Sequence, residues 1–72
     1  MKREKIEEFL IRKQEKTLLN TYRNANRDIK EMMDNLYNAS FRFCLREVQI
    51  LYLLNEAVRP FKLEILSDLM EG

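Results

Sequence analysis

Of the residue types that do covalent chemistry, the 72-residue chain holds one cysteine, Cys44, and no histidine. A thiolate is favoured at a helix N-terminus or beside cations. Cys44 lies near a predicted helix start, with Arg42 and Arg46 close in sequence. Without a histidine to serve as base, the stronger reading of Cys44 is a free thiol that packs as a small hydrophobe. Carboxylates occur as neighbours at Glu7 with Glu8 and at Glu31 with Asp34. Glycosidase-type acid–base work needs two carboxylates facing across a cleft, one with a raised pKa. These pairs fall on polar helix faces and read as solvated surface. There is no CxxC and no Cys/His cluster, so no zinc site is expected. The single glycine, Gly72, leaves no loop to cradle a phosphate. The expectation is a non-enzymatic chain with no catalytic residue, metal ligand or cofactor.

The cations offer a different chemistry. Residues 1–30 carry nine basic and five acidic side chains, net +4, and residues 31–72 carry four basic and seven acidic, net −3. At about 100° per residue, Lys5, Arg12, Lys16, Arg23 and Arg27 fall in one broad sector of a first helix. Such a sector can meet phosphates in a salt-sensitive, sequence-blind way, which makes these five the candidate nucleic-acid contacts. Acids interrupt the sector, and Tyr22 lies off it, so aromatic residues for base stacking are not interleaved with the cations. A solvated helix surface is the stronger reading.

The elements that must position these residues are helical. No Gly or Pro stands between Lys2 and Arg59, so the strongest helix breakers are missing. Leu18, Tyr22, Ala25, Ile29, Met32 and Leu36 alternate spacings of four and three, the a/d seam of a packed helix. Ile11 continues the seam backwards, and Leu19 and Met33 widen it. One long helix over about 2–38 is expected, although a break near Arg12–Glu15 also fits, because Glu8 and Glu15 otherwise occupy seam positions. Asn38-Ala39-Ser40 is the candidate turn. A second helix is expected over about 44–58, apolar on most sides and so the most buried element. Arg59-Pro60 breaks it and opens a third helix over about 60–70. Two short helices cannot cover a seam of this length, so an all-α bundle completed by dimerisation through the seam is predicted.

The segment CLREVQILYLLNEAVRPFKLEILSDLM resembles the first two helices of the winged-helix unit in MarR-type transcription regulators, including the SarA-like branch. A Leu before a polar pair, the apolar Ile50–Leu54 helix, a short link and a second helix with Ile65, Leu66 and Leu69 carry the likeness. It implies a dimer built on a long N-terminal helix and, at one remove, contact with DNA. The recognition helix and wing of that family have no counterpart in the sequence, so no DNA-contacting residue carries over.

The functional expectation is a small regulatory or adaptor protein that acts by helix-face contact with itself and with a protein partner. A DNA-binding regulator that uses the basic first helix is the alternative. No apolar run approaches the ~18 residues of a membrane span. The start MKREKIEEFLIRKQ lacks the apolar core of a signal peptide, which makes the cytoplasm the expected compartment. Circular dichroism should be helix-dominated. A strand content above about a tenth would mean that Phe41–Phe43 pairs as a strand.

Overall fold

The computed structural model describes residues 4–61. Every element among them is helical: α1 (Ile6–Arg12), α2 (Lys16–Asn24), α3 (Arg27–Arg42), α4 (Glu47–Val58) and a single 3-10 turn at Arg59–Phe61. The all-α class therefore holds. The long N-terminal helix expected over about 2–38 does not: its described part, from residue 4, is divided among three helices, and the longest, α3, is the third. The expected helix at about 60–70 lies outside the described residues apart from Pro60 and Phe61, which belong to the 3-10 turn.

The chain breaks its helices without glycine. At the end of α1, Gln14 adopts a left-handed backbone with φ 57°. Its N–H donates to the Ile11 carbonyl at 3.0 Å, and the Glu15 N–H donates to the Leu10 carbonyl at 2.9 Å. That pair of bonds is a Schellman closure, which satisfies carbonyls that a helix end leaves open. The end of α3 repeats it. Cys44 has φ 57°, its N–H donates to Phe41 at 3.1 Å, and the Leu45 N–H donates to Ser40 at 3.0 Å. Between α2 and α3 the device differs: Ala25 and Asn26 are extended, and the Asn26 side-chain oxygen accepts from the Ile29 N–H at 3.0 Å. This is an N-cap. The turn expected at Asn38–Ser40 is absent, because α3 runs on to Arg42 and the Ser40 hydroxyl donates to the Leu36 carbonyl at 2.8 Å. At the start of α4 the Gln49 side chain accepts from the Arg46 N–H at 2.9 Å.

With these turns in place, α1 packs on α2, α3 packs on α4, and α2 touches both α3 and α4. The apolar positions recur at helical spacing. Ile6, Phe9 and Leu10 come from α1, Leu18 from α2, Ile29, Met33 and Tyr37 from α3, and Ile50, Leu54 and Val58 from α4. All are buried in one core. The Tyr37 ring lies 5.2 Å from Phe9 and meets Phe41 edge-on at 4.8 Å. Its hydroxyl donates to the Glu4 carbonyl at 2.8 Å, which ties the chain ahead of α1 to α3.

A non-glycine residue held left-handed costs on the order of 1 kcal/mol that glycine does not incur. Cys44→Gly and Gln14→Gly should therefore each stabilise the fold by about 1 kcal/mol, whereas Asn26→Ala should destabilise it by about the same amount. Denaturant titration measures all three, and a glycine variant less stable than the parent would refute this account of the turns.

Candidate interaction face

The helix α4 has two apolar sides. Ile50, Leu54 and Val58 recur every four residues and point into the core, none with measurable exposure. At 3.6 residues per turn, Val48 and Tyr52 lie about 200° from Ile50 and face outward. They are 70% and 64% exposed. Leu45, Gln49 and Leu53 join them to line a shallow groove of about 350 Å³. Phe43, at the end of α3, is 75% exposed just ahead of this strip.

The charges around the strip divide by end. Arg42 and Arg46 are exposed at its N-terminal end and meet no carboxylate among the described residues. Glu56 stands at the C-terminal end, 3.7 Å from Arg59. Glu47 is turned the other way, toward α1. It meets Arg12 and accepts from the Lys13 ammonium at 3.0 Å. Arg12 also grips Glu4, at 2.9 Å, and lies 5.6 Å from the centre of the Phe9 ring. The Arg12 hydrogen bond first, then that of Lys13, holds the Glu47 carboxyl at about 2. Glu4 is lowered as well, chiefly by its bond to Arg12.

A second, polar groove of about 760 Å³ lies where the start of α1 faces Tyr22, Asp34 and Tyr37. The Tyr22 hydroxyl donates to Asp34 at 2.9 Å. Burial, and then that bond, pushes Tyr22 up to about 12, so it remains a proton donor at neutral pH. Glu7, on the same groove, faces Arg23 at 3.5 Å. Among the described residues no group of three or more His, Cys, Asp or Glu could hold a metal ion, and no helix is long and apolar enough to cross a membrane.

The expected self-association seam is dispersed. Leu18, Ala25 and Ile29 are buried within the single chain, and Tyr22, Met32 and Leu36 are half-buried against the same core. Met32 and Leu36 retain an edge on a cleft that also reaches Ala57. The helices of the chain itself thus cover most of a stripe that was expected to meet a second copy. The cationic sector is divided too. Arg12 and Arg23 face carboxylates, while Lys5, Lys16 and Arg27 are exposed at the starts of three different helices. Cys44 is exposed, not packed as a small hydrophobe.

Sequence reasoning missed Val48 and Tyr52, because α4 reads as a helix to be buried on most sides. The available signal was size: a chain near 70 residues cannot cover a helix all round. No family model matches the chain, and neither a curated protein nor a solved structure matches it.

The Glu47 cluster sets a pH dependence. A carboxylate whose folded pKa is lowered stabilises the fold above its ordinary value, and that stabilisation is lost as pH falls toward the folded value. The unfolding midpoint should therefore drop as pH falls from 4.5 to about 2. Arg12→Ala should move the Glu47 titration, followed by carboxyl NMR, upward toward 4.5. A Glu47 that titrates near 4.5 in the parent would show that the cluster does not form in solution.

Proposed function

We propose that the chain is a non-enzymatic interaction protein, a small regulator or adaptor that offers the outward face of α4 to a protein partner and to itself. The observation that carries this reading is the pair Val48 and Tyr52, four residues apart and mostly exposed, on a helix whose opposite face is the core. Exposed apolar surface of this kind is unfavourable in water, and a contiguous patch marks a contact site. Anchors at i and i+4 suit helix-to-helix docking. Tyrosine is among the residues that contribute most at interfaces, since its ring is apolar and its hydroxyl tolerates water. The rim of Arg42, Arg46 and Glu56 adds selectivity. The nucleic-acid reading, with MarR-type ancestry behind it, is left to draw on Lys5, Lys16 and Arg27, since Arg12 and Arg23 are engaged with carboxylates.

Val48→Asp tests the reading without touching the core. A substitution at so exposed a position should change stability by no more than about 0.5 kcal/mol. In affinity capture from native extract, partners held by the parent chain should be lost by Val48→Asp and retained by Lys16→Ala. Identical partner sets for parent and Val48→Asp would refute α4 as the docking face. Sub-micromolar binding of duplex DNA at physiological salt would promote the nucleic-acid reading in its place, provided that it weakens steeply with salt.

A further inference from the structure

The cleft where the end of α4 meets α3 has an apolar floor and a polar lip. It measures about 670 Å³. Met32 and Leu36 of α3 and Ala57 of α4 make the floor, and all three are half-buried. Asp28, Glu31 and Asn35 of α3 make the lip and are exposed. Neither acid meets a cation among the described residues. At about 100° per residue, Ala57 lies on the core side of α4, away from Val48 and Tyr52, so this cleft is separate from the docking face above. We infer that its occupant is the next part of the same chain, residues 62–70, laid over the floor as an amphipathic helix.

The path of the chain brings this segment to the cleft. Phe61 follows Ala57 by one helical turn, is half-buried and packs against the core. Residue 62 therefore starts beside the floor. From Asp28 to Leu36 the cleft runs along α3 for about 12 Å, which is also the length of residues 62–70 as a helix.

The side-chain pattern fits as well. Taken at helical spacing, Ile65, Leu66, Leu69 and Met70 fall in one arc that continues from Phe61. Glu64, Ser67, Asp68 and Glu71 take the other side, in water and away from the acidic lip. Lys62 is the exception. It is the one cation beyond Phe61, and its position falls inside the apolar arc. A purely apolar groove would leave that charge unpaired, at a large desolvation cost. Asp28 and Glu31 beside this floor give it a partner, with its aliphatic stem lying along the apolar surface.

The tether separates this occupant from any other. A segment held by a short link meets its site at an effective concentration on the order of millimolar. A short apolar arc then suffices for closure, where the same helix free in solution would bind weakly. A foreign helix reaches Met32 and Leu36 only by displacing the segment.

Methyl NMR of the full chain tests this, with the adjacent pair Met32 and Met33 as probe and control. Nuclear Overhauser contacts are expected between the Met32 methyl and those of Leu66 or Leu69, and Leu66→Asp should abolish them. In that variant a soluble paramagnetic chelate should broaden Met32 more than in the parent, while Met33 stays protected because the core persists. Lys62→Glu should open Met32 in the same way. Adding Glu31→Lys to Lys62→Glu should restore its protection, which an unspecific apolar contact would not do. A folded parent chain without contacts from Met32 to any residue beyond Phe61 would overturn the inference. So would a Met32 equally open in the parent and in Leu66→Asp. Contacts that form between two differently labelled copies in a mixture would replace the tethered segment with that of a second copy. None of these variants alters the outward face of α4, so the capture experiment with Val48→Asp is decided separately.

Discussion

Two residues held in left-handed backbone, Gln14 and Cys44, decide two of the three turns between the helices of this chain, and the Asn26 cap decides the third. Nearly all of the sequence is compatible with helix. Without interruption it would extend as a rod whose apolar stripe had nothing of its own to meet. The closures after α1 and α3 bring α1 back onto α2 and α4 back onto α3. A left-handed residue with a side chain is unfavourable by itself. It persists here because each closure satisfies carbonyls at a helix end and lets a whole apolar face reach the core. The burial of Phe9, Leu10, Ile50 and Leu54 offsets the local strain many times over.

The core so formed is small, and this leaves α4 with apolar residues on two sides. Met33, without measurable exposure, is buried with Leu18, Phe9 and Leu54 in the same cluster, and Tyr37 links that cluster to the start of the chain through its hydroxyl. Four short helices close this interior and leave the far side of α4 largely exposed among the described residues. Val48 and Tyr52 stay exposed there, as Ile11 and Phe43 do elsewhere. Arg42 and Arg46 near them meet no carboxylate among the described residues, whereas the Arg12, Lys13, Glu4 and Glu47 cluster on the α1 side is neutralised within the chain. One edge of α4 is thus tied to its own chain by charge, and the opposite face is left open.

The helical class was legible because spacing and the lack of Gly and Pro both point to it. The seam positions Leu18, Ala25 and Ile29 were legible as an apolar stripe, but not the surface that covers them. Periodicity reports that a face is buried without saying against what. The break after Arg12 was visible as an option, since Glu8 and Glu15 spoil a continuous seam. The break at Asn26 was not, because an asparagine that caps the next helix looks the same in sequence as one on a helix surface. The turn after α3 was placed too early, at Asn38–Ser40, where polar residues cluster. The chain turns instead at Cys44, a residue type with no turn signature of its own. The cationic sector assumed an unbroken helix, and its five residues are distributed over three.

The position of Met33 has a consequence in redox chemistry. Its thioether fills the middle of the core with no measurable exposure, so an oxidant reaches the sulfur only when the helices part. Oxidation to the sulfoxide replaces a pliable apolar side chain with a polar, chiral one that the closed core cannot accommodate. A molecule oxidised while open is thereby hindered from closing again. Its neighbour Met32, half-buried at the rim, can take the same oxygen without displacing the core. Two adjacent methionines thus differ in what damage does to them: at position 33 it is trapped by the fold, and at position 32 it is tolerated.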